Sequence, residues 1–138
     1  MRQIIFKFVL VFLLLGFTKS ETIEPKTSIL GTWELTEIRS VDGKKREVWI
    51  PVENDFQYTF NKDNTFTATR FSECVNGKYS FLKENIILDF DCEVTVANKI
   101  YIDGVLVEKY LFTATELILI PNYLNCTKGT CYKFLKID

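Results

Sequence analysis

The residues able to do chemistry in this chain are few, and their types exclude several functions. Its 138 residues include no histidine, so it has neither a Ser-His-Asp nor a Cys-His relay, nor an imidazole ligand for zinc. Asp89, Asp91 and Glu93 alternate along one stretch, which predicts solvated side chains on the outer face of a strand. No two carboxylates have a spacing that suggests a hydrolase cleft. We therefore predict that the protein is not an enzyme and uses no cofactor or metal.

Four cysteines are the remaining reactive groups, at positions Cys74, Cys92, Cys126 and Cys131. Their spacing lacks the CxxC pairs of a typical zinc site, whereas an even number of cysteines in an exported protein favours disulfides. Four cysteines allow three pairings. We predict Cys74–Cys92 and Cys126–Cys131, because each pair is close in sequence and brackets a hairpin or a tight loop.

The N-terminus predicts export. Arg2 and Lys7 precede an uncharged apolar run at 8–17, and small residues follow that run. This is the layout of a secretory signal peptide. The run is shorter than the roughly 20 residues that a membrane-spanning helix needs. We predict a cleaved signal peptide at 1–20, a flexible lead-in at 21–28 and a secreted or periplasmic domain at 29–138.

The charge of the exported chain argues against nucleic acid and anionic lipid as partners. Removal of the signal peptide leaves 14 basic and 18 acidic residues, a net charge of −4. A nucleic-acid-binding protein normally carries a basic surface, and so does a protein that is drawn to anionic lipid. We predict no nucleic-acid partner and no stable membrane span.

From Gly31 onward the chain is a series of short alternating strands separated by turn signals. The segment 60–66 fits a type I turn with Asn64 in the left-handed region, which pairs Phe60 with Phe66. Three further turns are predicted, at Asn76-Gly77, Glu84-Asn85 and Asp103-Gly104, which would pair Cys74 with Tyr79, Phe81 with Leu88 and Lys99 with Glu108, respectively. Eight to ten strands joined in this way predict an all-β, up-and-down antiparallel barrel, because closure removes exposed edges.

One face of these strands is aromatic. The predicted register places seven rings on it, namely Phe56, Tyr58, Phe60, Phe66, Tyr79, Phe81 and Phe90. Arg70 falls on the same face, and a buried guanidinium needs a carboxylate partner, access to the rim or an anionic ligand. Seven rings either fill a small barrel or line a cup for one ligand, and both alternatives stay open.

If a cup exists, its predicted ligand-binding residues are Arg70, Tyr58, Phe56, Tyr79 and Trp49. Arg70 would pair with the charge of an anionic amphipathic ligand, and the aromatic residues would contact its apolar part. Trp49 lies in the long first connection, where it acts as a lid, begins an extra strand or covers core.

An ordered set of motifs carries a family resemblance. Gly31-Thr32-Trp33 resembles the Gly-x-Trp signature of lipocalins, and the set continues with 58–66, Cys74 and Gly77-Lys78-Tyr79, 117–119 and a closing strand with Cys131. The chain resembles the small exported bacterial lipocalin-like domain family. That resemblance implies a small β-barrel with a closed end and a ligand cup. Trp33 is expected to plug the closed end. The last strand offers Lys133 and Lys136, where better-known lipocalins pack an arginine over the tryptophan.

These observations together predict an exported, non-enzymatic binding protein that takes a small apolar or amphipathic ligand in the barrel mouth. The alternative is a protein-interaction or enzyme-inhibitor module that acts through the loops of a filled barrel.

Overall fold

The computed structural model describes residues 28–41, 46–53, 55–96, 98–122 and 131–138. The predicted signal peptide, residues 21–27 of the predicted lead-in and Cys126 lie outside these residues. The strands are β1 (Gly31–Val41), β2 (Glu47–Pro51), β3 (Gln57–Phe60), β4 (Thr65–Ala68), β5 (Asn76–Leu82), β6 (Asn85–Phe90), β7 (Val94–Val96), β8 (Lys99–Tyr101), β9 (Val105–Phe112), β10 (Glu116–Pro121) and β11 (Cys131–Lys136).

These strands form a closed antiparallel barrel. Nine of the strands described form one sheet in the order β11-β10-β9-β6-β5-β4-β3-β1-β2, and β11 also pairs with β1, where Trp33 lies opposite Lys136. Eight strands therefore close the barrel, while β2 pairs with β1 and β7 pairs with β8. The predicted all-β, up-and-down antiparallel barrel is confirmed. The described ranges contain no helix long and apolar enough to cross a membrane.

The register of the β3–β4 hairpin is as predicted. Phe60 lies opposite Phe66 and Tyr58 opposite Ala68. Asn64 has a φ of 63°, and its amide donates a hydrogen bond of 3.3 Å to the carbonyl oxygen of Asn61. Every second residue of both strands is buried, so the hairpin presents one side to the core.

The turn predicted at Asn76-Gly77 is wrong. Both residues belong to β5, and Gly77 lies opposite Phe66. A Cβ atom at position 77 would lie 2.6 Å from Cζ of Phe66, so the glycine makes room for a core ring instead of forming a turn. The predicted pairing of Cys74 with Tyr79 is wrong for the same reason.

The β5–β6 turn is at Lys83-Glu84, one residue before the predicted position, and Lys83 has a φ of 56°. Phe81 therefore lies opposite Ile86 and not opposite Leu88. A displacement by two positions leaves each side chain on its predicted face, because strand side chains alternate with a period of two.

The predicted pairing of Lys99 with Glu108 is also wrong. Lys99 lies opposite Val96 in the β7–β8 hairpin, which leaves the barrel, whereas β9 pairs with β6 and places Glu108 opposite Ile86. Leu106 and Glu108 are both fully buried and lie two residues apart on one face of β9. Glu108 therefore points into the barrel.

The start of β1 is fixed from both sides. The indole of Trp33 is fully buried, and its Nε1 donates a hydrogen bond of 2.6 Å to the carbonyl oxygen of Ile29. Gly31 has a φ of 113°, and a Cβ atom there would lie 2.7 Å from the carbonyl oxygen of Asp138. The glycine of the Gly-x-Trp signature is thus required by its backbone conformation and by the close approach of the chain's last residue.

Candidate ligand-binding site

The two ends of the barrel have different connections. We call the end with the turns 61–64, 83–84 and 113–115 the turn end, and the end with the connections 69–75 and 91–104 the loop end. Each barrel strand runs from one end towards the other, and every second side chain points inward, so a strand can contribute inward side chains to both ends. Predicted site residues are found at each end, in different surroundings.

A buried ion pair occupies the barrel interior on the side of the loop end. Arg70 follows β4, and its Nη1 lies 3.0 Å from Oε1 of Glu108, with side-chain exposures of 6% and 0%. Nη1 also donates a hydrogen bond of 3.1 Å to the Tyr58 hydroxyl, and Nη2 donates one of 3.4 Å to the Tyr132 hydroxyl. Arg70 therefore has the structural partner that was one of its predicted alternatives.

Aromatic rings surround this guanidinium. Its Cζ lies 5.3 Å from the ring centre of Phe56, 5.4 Å from that of Phe71 and 5.0 Å from that of Tyr132, distances typical of cation–π contacts. Burial raises the pKa of Tyr58 to about 12, although the positive charge of Arg70 opposes the shift. Tyr58 is therefore a neutral hydroxyl at physiological pH, and the network consists of one ion pair and two phenols.

A cavity of about 610 Å³ opens at the turn end. Its walls are aromatic, formed by Tyr79 and Phe81 of β5 and by Tyr110 and Phe112 of β9. The ring centres of successive pairs, Tyr79–Phe81, Phe81–Tyr110 and Tyr110–Phe112, are 5.8, 4.8 and 5.7 Å apart. The remaining lining comes from Ser28, Ile29, Leu30, Lys62 and Asn64.

The alternation of β9 explains why the ion pair and the cavity share one barrel. Glu108, Tyr110 and Phe112 are successive inward positions, so Tyr110 lies roughly 7 Å along the strand from Glu108. Phe81 was predicted on the inward aromatic face, but its side chain is 43% exposed. It lies at the mouth of the cavity and is not part of the buried core.

Trp49 lies in β2, opposite Arg39 of β1. Its ring centre is 4.3 Å from Nζ of Lys133 and 5.8 Å from Cζ of Arg39. Because Lys133 alternates with the buried residues Tyr132 and Phe134, these contacts are on the outer side of the barrel. Trp49 thus lies within an extra strand of the sheet, and its role as a lid stays a prediction.

A disulfide fixes the loop end. Cys74 in the β4–β5 connection is bonded to Cys92 just after β6, with Cα atoms 5.9 Å apart, as predicted. Cys131 is buried in β11, where Nη2 of Arg39 lies 3.1 Å from its Sγ. The predicted partner Cys126 lies outside the described residues, so that pairing stays a prediction.

The lipocalin-like domain family model matches residues 29–118, which is more than half of the chain. The chain belongs to the lipocalin-like domain family. It is also similar to an uncharacterized protein from Bacteroides eggerthii DSM 20697 of known crystal structure, with 18% identity over 80% of this chain and all of the other, and a TM-score of 0.43. No curated protein matches the chain.

This lipocalin-like domain divides its five predicted ligand-binding residues among three places. Tyr79 lines the cavity, Arg70, Tyr58 and Phe56 belong to the network around the ion pair, and Trp49 lies on the outer side of the barrel. Sequence reasoning missed Glu108, because a wrong strand pairing placed it opposite Lys99. The run from Val105 to Phe112 carried a usable signal, since Glu108 shares the parity of Leu106, Tyr110 and Phe112.

Proposed function

We propose that this lipocalin-like domain is an exported, non-enzymatic binding protein that takes a small apolar or amphipathic molecule in the cavity at the turn end. The observation that carries the proposal is the aromatic lining of that cavity. Its volume of about 610 Å³ lies within the range of roughly 300 to 1,000 Å³ that is usual for small-molecule sites. Apolar walls with a few polar groups are the common design of such sites.

The loop end supports the same choice of location. A ligand that entered there would have to displace Arg70 from Glu108 and from the hydroxyls of Tyr58 and Tyr132. Separating a buried ion pair costs several kcal/mol unless the ligand replaces each contact. At the turn end a ligand would contact rings that are already exposed, such as that of Phe81.

Export and a non-enzymatic role belong to the same proposal. The Cys74–Cys92 disulfide is typical of proteins that fold in an oxidising compartment, and the N-terminal sequence has the layout of a signal peptide. The described residues hold no group of three or more His, Cys, Asp or Glu side chains arranged for a metal ion.

The test is a fluorescence titration with N-phenyl-1-naphthylamine, a neutral apolar probe. We expect binding to the wild type and a loss of at least about fivefold in affinity in Phe81→Ala, because the variant removes a ring that lines the cavity. Leu82→Ala is the matched control, since Leu82 is the next residue of β5, is exposed and lies on the opposite face. Equal affinities of the two variants would contradict the proposal.

A titration with the anionic amphiphile decanoate addresses the ligand-binding role predicted for Arg70. If such a ligand entered at the loop end with its charge at Arg70, Arg70→Gln would weaken decanoate binding strongly while Phe81→Ala would not. Our proposal gives the opposite order of effects. Urea denaturation of each variant accompanies the titration, so that a loss of folding is not taken for a loss of binding.

A protein-interaction module is the second candidate function, and one surface favours it. The β7–β8 hairpin forms a sheet separate from the barrel, and Ile100 in β8 and Ile102 just after it have exposed fractions of 59% and 82%. Native mass spectrometry of the protein from its own host separates the two candidates. A co-purifying small molecule favours the cavity, and a co-purifying protein that is lost in Ile102→Ser favours the hairpin.

A further inference from the structure

Two polar residues of the cavity lining lie in one turn that is held against an aromatic wall. Lys62 and Asn64 belong to the β3–β4 turn and line the cavity. The Tyr79 hydroxyl donates a hydrogen bond of 2.8 Å to the carbonyl oxygen of Asn61, and the Tyr79 amide donates one of 2.9 Å to the carbonyl oxygen of Asn64. The turn that carries Lys62 is thus fixed to a residue of the wall.

The charge at this rim is positive. Among the residues that line the cavity, Lys62 is the charged one, and no acidic side chain is part of the lining. The described carboxylates form no ion pair with Lys62. Its neighbour Asp63 turns to Thr65, whose amide and hydroxyl donate hydrogen bonds of 3.1 and 2.5 Å to Oδ1 of Asp63. These hydrogen bonds lower the pKa of Asp63.

The apolar part of the lining is a continuous surface of rings. Tyr79, Phe81, Tyr110 and Phe112 follow one another with centres at most 5.8 Å apart, and the rings of Tyr110 and Phe112 are inclined by 28°. Such a surface offers stacked and edge-to-face contacts to a flat ring, which exceed what buried area alone gives. An aliphatic chain gains the area but not these contacts.

We infer that the cavity takes a flat aromatic acid, with its rings against Phe81 and Tyr110 and its anionic group at Lys62. This inference rests on the proposed function and adds the chemical class of the ligand. Asp63 is the acid nearest to the site in sequence, and its charge contributes to the raised pKa of Tyr79, so its field reaches the wall of the cavity. The attraction of Lys62 for an anion is therefore partly opposed by Asp63.

Three probes test the inference by calorimetric titration: 2-naphthoate, its neutral counterpart 2-naphthamide and the aliphatic acid decanoate. We expect 2-naphthoate to bind most tightly. Lys62→Gln should weaken it about three- to fivefold at low salt, the size expected for an exposed charge pair, and should leave 2-naphthamide within twofold. Asp63→Asn, which keeps an oxygen for Thr65, should tighten 2-naphthoate. Lys78→Gln is the control, because Lys78 is exposed on the outer face of β5.

Each outcome bears on one part of the proposal. Equal binding of 2-naphthoate and 2-naphthamide, or equal effects of Lys62→Gln and Lys78→Gln, would overturn the role of Lys62. Tighter binding of decanoate than of 2-naphthoate would overturn the preference for a flat ring. Either result leaves the proposed function standing if N-phenyl-1-naphthylamine still binds in a way that depends on Phe81. If that dependence is missing, the proposed function fails, and this inference fails with it.

Discussion

At the loop end, the interior of this barrel contains a charged pair, and at the turn end it contains a cavity. At the loop end, Arg70 and Glu108 are buried among tyrosine hydroxyls and aromatic rings. At the turn end the inward positions carry Tyr79, Phe81, Tyr110 and Phe112, and their rings line a space of about 610 Å³. The same inward face of β9 serves both regions, with Glu108 in one and Tyr110 in the other.

The difference between the ends shows how one barrel can be stable and still offer a site. Ligand entry beside a buried ion pair is unfavourable, because it would separate the two charges. Exposed rings have the opposite property, since a ligand that covers them removes apolar surface from water. We therefore expect variants at the loop end to change stability and variants at the turn end to change binding.

The largest expected effect comes from breaking the ion pair. Glu108→Gln removes the carboxylate that pairs with the buried Arg70 guanidinium, which should lower the free energy of unfolding by about 3–5 kcal/mol in urea denaturation. Glu37→Gln is the control, because it breaks the more exposed pair of Glu37 with Lys133 and should cost less than about 1 kcal/mol. Similar losses in the two variants would show that the buried pair contributes no more to stability than the exposed pair.

The second largest expected effect comes from removing the disulfide at the loop end, which should lower stability without changing ligand affinity. The Cys74–Cys92 disulfide spans 18 positions, and a loop of this length predicts a stabilisation of about 3 kcal/mol. We expect Cys74→Ala with Cys92→Ser to lose this amount in urea denaturation and to keep the affinity for N-phenyl-1-naphthylamine within twofold. A large loss of affinity in a folded variant would show that the two ends are coupled.

The loop end was harder to predict from sequence than the barrel itself. The pairing of Phe60 with Phe66 followed from one residue, Asn64, which tolerates a positive φ. Asn76-Gly77 gave a false turn signal, because Gly77 is needed for contact with Phe66. A signal of backbone freedom does not say whether the chain turns or another side chain comes close.

Glu108 could not be predicted as the partner of Arg70, because their contact depends on long-range strand pairing. Arg70 and Glu108 are 38 positions apart, and they meet because β9 pairs with β6 after the β7–β8 hairpin leaves the sheet. Local turn signals at Asp103-Gly104 could not reveal that excursion. The cavity was not predicted for a related reason. Its aromatic walls come from β5 and β9, which lie on either side of β6 in the sheet, so it depends on the pairing of strands that are distant in sequence.

The smallest expected effect is the pH dependence of the free energy of unfolding, which differs in direction between the two ends. At the loop end, burial raises the pKa of Tyr58 to about 12 from an ordinary value of 10.0. Above pH 10 the unfolded chain loses this proton while the folded chain keeps it, so the free energy of unfolding falls as pH rises. Between pH 10 and 12 this group should account for a loss of about 2 kcal/mol.

At the turn end the sign is reversed. Hydrogen bonds from the amide and hydroxyl of Thr32 lower the pKa of Asp138, so its stabilisation is present above the unfolded pKa and is lost as pH falls through the folded pKa. Urea midpoints measured across both pH limbs test the pair. Tyr58→Phe should make the alkaline limb less steep and Asp138→Asn should make the acid limb less steep, each without changing the other; the raised pKa of Tyr132 and the lowered pKa of Asp63 account for part of the slope that remains. An alkaline limb of unchanged slope in Tyr58→Phe would mean that burial does not hold this hydroxyl in its protonated form, and the contrast between the two ends would lose its electrostatic basis.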